Sequence, residues 1–139
     1  MLTTALIMTA SGFPVGPESW RTDGLGSAEA SELEPGVSTI TSDQLAEKLA
    51  RKEFFFVNVH IPYEGEIEQT DAFIQFDKIA ENLDRLPQDR HAEIVLYCRS
   101  GRMSEIAAND LARRGFTQVS HLAGGMIDWQ KSGRQILQH

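Results

Sequence analysis

Short apolar runs alternate with longer amphipathic segments along the chain from residue 37 onward. Two runs, residues 54–59 and 93–97, are rich in β-branched, aromatic and aliphatic side chains. They are too short for buried helices, so they predict buried strands, the first of them covered on both faces. Residues 118–122 predict a third strand. Because helical segments lie between these strands, the pattern predicts an α/β fold with a mostly parallel central sheet and helices on both faces.

Capping residues predict where the helices begin and end. Thr41 and Gln44 fit a capping box, which starts a helix that runs to about residue 51. A weaker helical stretch covers residues 77–86, and a helix is predicted over residues 104–114 with Ser104 as its N-cap and Gly115 as its left-handed stop. A short helix follows the Gly-Gly pair at residues 124–125.

Composition excludes several classes of protein. The chain has 139 residues, a net charge of −7 and a single cysteine. One cysteine permits no internal disulfide, and the scattered histidines predict no metal site. The acidic balance argues against nucleic acid as a partner, and no apolar run is long enough to span a membrane. We expect a monomer that needs no cofactor.

The first 36 residues differ from the rest. Residues 2–10 are apolar, and the following stretch is rich in Pro, Gly and acidic residues. Such a segment buries too little apolar surface to offset the entropy of ordering it. We predict that residues 1–36 are a flexible tail or a residual export segment and that residues 37–139 form the domain. A cytoplasmic location is expected, with export as the alternative.

The candidate chemistry lies in the loop 98–103 (CRSGRM), which joins a buried strand to a helix N-terminus. Loops at the carboxyl ends of parallel strands are the usual place for a ligand. The backbone N–H groups of the loop, the helix dipole and the guanidinium groups of Arg99 and Arg102 all favour an anion there. An inert core cysteine is the alternative, but it would not require two cations beside it. We therefore predict that Cys98 is a reactive thiolate that is open to reagents in solution.

Loop length separates two kinds of cysteine chemistry. A phosphatase loop of the Cys-x5-Arg type places an arginine six residues after the nucleophile, where it grips phosphate. Position 104 is Ser here, so phosphatase or arsenate reductase activity is a remote alternative. The shorter loop suits a small sulfur-bearing anion better.

The segments 95–104 (VLYCRSGRMS), 113–119 (RRGFTQV) and 122–129 (LAGGMIDW) together resemble a single-domain rhodanese-like sulfurtransferase. The resemblance covers roughly residues 40–133. It implies a rhodanese-like fold and sulfurtransferase activity, with Cys98 as the nucleophile that carries a persulfide. It also implies that the rest of the loop binds the substrate, namely Arg99, Ser100, Gly101, Arg102 and Met103.

The first half of the chain departs from the family pattern. Asn58 and His60 stand where such domains commonly carry Asp and Arg, so both are candidate pocket residues. The predicted reaction moves sulfane sulfur from an anionic donor such as thiosulfate to a thiol or cyanide, without a metal or organic cofactor. A non-catalytic interaction or sensing module is the alternative that the two replacements favour.

Overall fold

The computed structural model describes residues 32–138, and its centre is a parallel sheet of five strands. The strands are β1 (Val37–Ile40), β2 (Phe55–Asn58), β3 (Ala72–Phe73), β4 (Glu93–Tyr97) and β5 (Gln118–Leu122), in the spatial order β1-β5-β4-β2-β3. Every neighbouring pair is parallel. The predicted α/β fold with a parallel central sheet is confirmed.

Helices cover both faces of this sheet. They are α1 (Ser42–Ala50), a 3-10 helix (Ala80–Arg85), α2 (Arg102–Arg113) and α3 (Gly125–Lys131). One core contains Val57, Leu96 and Leu111 and lies on the α2 face. The second core contains residues of α1 and α3 and lies on the other face. Strands β2 and β4 are therefore buried on both sides, which explains their continuous apolar runs.

The structure confirms the predicted strands at the centre and the capping box of α1. Thr41 Oγ1 accepts a hydrogen bond from the backbone N–H of Gln44, whose side chain in turn accepts one from the Thr41 N–H. The edge strands β1 and β3 were not predicted, because they are short and lack a continuous apolar run. Residues 77–86 contain the 3-10 helix instead of an α-helix.

The predicted N-cap of α2 was wrong. The helix begins at Arg102, and its N-cap is Gly101, which has the left-handed φ of 112° that glycine adopts without strain. Ser104 lies inside the first turn, where its hydroxyl donates a 3.1 Å hydrogen bond to the carbonyl oxygen of Gly101. A serine so placed satisfies an early carbonyl rather than capping the helix.

Most of the predicted tail lies outside the described residues. Within the part of it that is described, the Glu34 side chain lies 2.8 Å from the Arg113 guanidinium, and the Glu34 N–H donates a 2.8 Å hydrogen bond to Asn109. Contacts to α2 therefore begin slightly ahead of the predicted boundary at residue 37. Among residues 32–138, no helix is long and apolar enough to cross a membrane.

Candidate active site

Cys98 directly follows β4, and the loop after it turns into α2. The Gly101 N–H donates a hydrogen bond to Cys98 Sγ over 2.9 Å, and Ser104 Oγ lies 3.7 Å from the same sulfur. Both groups belong to the first turn of α2 or its cap, so the sulfur sits at the positive end of the helix dipole. The arrangement favours negative charge on the sulfur.

The sulfur is less accessible than the sequence predicted. Cys98 is only 1% exposed, and it belongs to the apolar core on the α2 face. The prediction that the thiol is open to solvent is therefore wrong for this structure. A reagent in solution can reach the sulfur only after local movement of the loop or of the side chains around it.

The N-terminus of α3 contacts the backbone of the loop that begins at Cys98. The backbone N–H groups of Met126 and Ile127 donate hydrogen bonds to the carbonyl oxygens of Cys98 and Arg99, over 2.9 Å and 3.0 Å. Gly125 lies so close to these carbonyls that a Cβ atom there would overlap both. Gly125 therefore permits the close approach of α3 to the loop.

Arg99 is not a free cation. Its guanidinium lies 3.0 Å from Glu64 Oε1, and the same oxygen lies 3.1 Å from His60 Nε2. Glu64 thus links the cysteine loop to the loop after β2 and offsets the charge of Arg99. This pair could not be predicted from local sequence patterns, because the two residues are 35 positions apart.

The other loop residues take different positions. Arg102 and Ser100 are exposed, and Met103 packs against the core that contains Cys98. Among residues 32–138, no ion pair involves Arg102. Arg102 is therefore an exposed cation with no carboxylate partner in this part of the chain, whereas Arg99 is already paired. The substrate-binding role of the loop stays a prediction.

Asn58 and His60 shape the neighbouring loop. The Asn58 amide donates to the Gly65 carbonyl oxygen over 3.0 Å and accepts from the His60 N–H over 3.0 Å. Both of its polar groups are thus used inside the loop 58–65. His60 is 8% exposed, and its Nδ1 is buried without a hydrogen-bond partner in the described part of the chain. Pocket roles for these two residues stay predictions.

A series of hydrogen-bonded polar side chains next to the Cys98 sulfur was not predicted. Ser104 Oγ lies 3.0 Å from His121 Nδ1, and Thr39 Oγ1 lies 3.3 Å from His121 Nε2. Burial lowers the pKa of His121, an effect that the nearby Glu105 carboxylate partly opposes. Only the tertiary fold brings these residues together, since Thr39 and His121 are 82 positions apart.

The residues that the structure describes contain no group of three or more His, Cys, Asp and Glu side chains arranged to hold a metal ion. The site is thus a cysteine at the end of a central parallel strand, cradled by the N-terminus of the following helix. This fold and site define an α/β protein with a strand-to-helix cysteine loop.

Comparison with known proteins identifies the family to which the chain belongs. Residues 43–132 match the family of the Rhodanese-like domain. A sulfurtransferase of Allochromatium vinosum is 34% identical over 106 residues, which cover 73% of this chain and 95% of that protein. The chain therefore belongs to the rhodanese-like domain family.

Two further comparisons agree with this assignment. The probable adenylyltransferase/sulfurtransferase MoeZ of Mycobacterium tuberculosis is 35% identical over 99 residues, which cover 68% of this chain but only 25% of that protein. The chain thus matches about a quarter of MoeZ. The crystal structure of a rhodanese-related protein from Thermoplasma volcanium superposes with a TM-score of 0.62 at 22% identity, covering 72% of this chain and 97% of that one. This likeness supports the fold.

Proposed function

We propose that this protein is a sulfurtransferase that carries sulfane sulfur as a persulfide on Cys98. The proposal rests on the position of the Cys98 sulfur, which accepts a hydrogen bond from the Gly101 N–H at the N-terminus of α2. Relatives named sulfurtransferase support the same class of reaction. Sulfur transfer needs a cysteine that is stable as an anion, and this cradle favours that form.

The first step takes sulfur from an anionic donor such as thiosulfate. The Cys98 thiolate attacks the outer sulfur, a new S–S bond forms, and the S–S bond of thiosulfate breaks. Sulfite leaves with the electron pair of that bond, so Cys98 becomes a persulfide anion. The Gly101 N–H and the dipole of α2 stabilise the Cys98 thiolate from which this step starts.

The second step passes the outer sulfur to an acceptor. A thiolate attacks that sulfur and leaves as a persulfide, or cyanide attacks it and leaves as thiocyanate. In both cases the thiolate of Cys98 is regenerated, so neither step changes the net charge or requires a redox partner. The donor product leaves before the acceptor binds, which gives ping-pong kinetics.

The structure favours sulfur transfer over phosphate chemistry. The position six residues after Cys98 carries Ser104, which is fully buried and bonded to the Gly101 carbonyl oxygen. No guanidinium stands where a Cys-x5-Arg loop needs one to grip a phosphate. We therefore expect no turnover of phosphate esters.

A non-catalytic binding module is the second candidate, because Glu64 neutralises Arg99 and the thiol is buried. A steady-state assay separates the two. We expect thiosulfate-dependent formation of thiocyanate or of a low-molecular-weight persulfide, with parallel double-reciprocal plots and no activity in Cys98→Ser. Absence of turnover with every donor and acceptor pair would support the module, and equal turnover in Cys98→Ser would refute the assignment.

A further inference from the structure

The buried thiol of Cys98 is connected to the protein surface by a continuous line of polar atoms. From Cys98 Sγ the line passes to Ser104 Oγ over 3.7 Å and then to His121 Nδ1 over 3.0 Å. From His121 Nε2 it continues over 3.3 Å to Thr39 Oγ1. Cys98, Ser104 and His121 are buried, whereas Thr39 is exposed on the edge strand β1. The line therefore ends in solvent.

A buried thiol can ionise only if its proton has somewhere to go. Cys98 is 1% exposed, so water does not reach its sulfur directly in this structure. Each atom along the line can both accept and pass on a proton, because serine and threonine hydroxyls and a neutral imidazole each combine a donor with an acceptor. Three groups with this property, Ser104, His121 and Thr39, extend from Cys98 within hydrogen-bonding range of one another.

We propose that Ser104, His121 and Thr39 form a relay through which the Cys98 thiol releases its proton to solvent. This inference rests on the proposed function, since the relay supplies the thiolate that attacks the donor. Ser104 contacts the reacting sulfur directly, whereas His121 and Thr39 are positioning residues that act through it.

Each proton that leaves one group of the relay is taken up by the next group. The S–H bond of Cys98 breaks as its proton moves to Ser104 Oγ, and the proton that Ser104 held turns away from the Gly101 carbonyl oxygen and moves to His121 Nδ1. The Nε2 proton of His121 passes to Thr39 Oγ1, which gives its own proton to water. His121 is neutral before and after and has only exchanged one tautomer for the other. The Ser104 hydroxyl then donates to the thiolate that it has helped to form.

The electrostatic surroundings agree with a neutral His121. Glu105 on α2 is the carboxylate whose charge acts on this imidazole, and its effect is smaller than that of burial. The neighbouring strand β1 carries no ionisable side chain. On β4, the Glu93 carboxylate pairs with Lys48 of α1, and Tyr97 packs in the core on the α1 and α3 face.

Thr39→Val tests the relay with little risk to the fold, because Thr39 is exposed and valine has nearly the same shape. Thr39→Ser restores the hydroxyl. A matched control is Thr117→Val, since Thr117 is an exposed threonine whose Oγ1 lies 3.0 Å from a ring nitrogen of another histidine, His91. Ser104→Ala removes the group next to the sulfur.

The readout is the thiolate absorbance near 240 nm between about pH 5 and pH 9, with Cys98→Ser as the blank. Cys98 is the only cysteine of the chain, so the difference signal belongs to it alone. A relay changes the rate of proton release and not the equilibrium, so Thr39→Val should leave the thiolate signal at each pH unchanged. Thr39→Ser and Thr117→Val should match the wild type.

A rapid pH jump followed at the same wavelength measures proton release, which should be several-fold slower in Thr39→Val than in Thr39→Ser. Equal release rates in Thr39→Val, Ser104→Ala and the wild type would overturn the relay. Neither measurement uses a sulfur donor. Failure of the relay is therefore distinguishable from failure of sulfur transfer, which appears as absence of turnover in the wild type.

Discussion

The backbone N–H of Met126 donates a 2.9 Å hydrogen bond to the carbonyl oxygen of Cys98. This bond joins the N-terminus of α3 to the residue that carries the sulfur. Because the carbonyl oxygens of Cys98 and Arg99 both accept from α3, the peptide planes of the loop are fixed in orientation. The cysteine loop is thus held by the N-termini of two helices: α2, which follows it in the chain, and α3, which donates hydrogen bonds to its carbonyl oxygens.

Gly125→Ala should disrupt this support. The new Cβ would overlap the carbonyl oxygens of Cys98 and Arg99, so the loop or α3 must move. We expect loss of most sulfur-transfer activity together with a fall in the free energy of unfolding of more than about 2 kcal/mol, measured by urea denaturation.

Gly133→Ala is the matched control for that prediction. Gly133 also has a positive φ, but its Cβ would meet no atom within 4 Å. The substitution should cost about 1–2 kcal/mol from backbone strain alone and leave transfer unchanged. Equal effects of the two substitutions on activity would show that contact with the cysteine loop is not what Gly125 provides.

Glu64→Gln should improve use of an anionic donor. Removing the carboxylate frees the guanidinium of Arg99, which now lies 3.0 Å from Glu64 Oε1. Because the pair is partly exposed, we expect a decrease of about two- to fivefold in KM for thiosulfate at low ionic strength, and a smaller change at high salt.

Glu68→Gln makes the same change of charge at an exposed position a few residues away. It should leave KM for thiosulfate nearly unchanged. An equal decrease in both variants would assign the effect to net charge rather than to release of Arg99.

Tyr97→Phe should destabilise the domain. The Tyr97 hydroxyl accepts a 2.9 Å hydrogen bond from the Ile67 N–H and lies 2.7 Å from Thr70 Oγ1. Its loss leaves a buried N–H without a partner, so we expect a decrease of about 1–3 kcal/mol in the free energy of unfolding. Tyr63→Phe, at a 36% exposed position, should change it by less than about 0.5 kcal/mol. Similar losses in both variants would contradict this role.

The stability of the domain should depend on the protonation of His121. Burial lowers the pKa of His121 in the folded state, with Glu105 opposing this shift. The unfolded chain therefore binds a proton at a higher pH than the folded chain does, and stability is lost as the pH falls below about 6.5. The difference in unfolding free energy between pH 7.5 and pH 5 should be smaller in His121→Asn than in the wild type.

His91→Asn serves as the comparison for the pH experiment, because His91 is exposed. The free energy of unfolding of the His91→Asn variant should change with pH as that of the wild type does. A His121→Asn profile parallel to the wild type would mean that His121 does not bind its proton differently in the folded and unfolded states.

Local sequence signals predicted the parts of the fold that depend on neighbouring residues. The capping box of Thr41 and Gln44 and the central strand β4 are examples, because capping and burial are both visible in short stretches. The start of α2 was misplaced because Gly101 and Ser104 are both acceptable caps, and only the backbone geometry of the loop selects Gly101. The two-residue strand β3 exists through its pairing with β2, which leaves no local signal.

The candidate site likewise has features that local sequence patterns predict and features that they do not. The position of Cys98 before a helix N-terminus could be predicted from the order of strand, loop and helix. The pairing of Glu64 with Arg99 and of His121 with Ser104 could not, because each joins residues from separate elements. The burial of the sulfur also depends on how α2 packs against the sheet, which the loop sequence does not encode.

The most direct test of the account is the intact mass of the protein after exposure to thiosulfate and removal of the excess donor. We predict a gain of one sulfur atom on the wild-type chain, which dithiothreitol or cyanide removes, and no gain on Cys98→Ser. An unchanged wild-type mass, or the same gain in Cys98→Ser, would contradict the claim that Cys98 carries a persulfide.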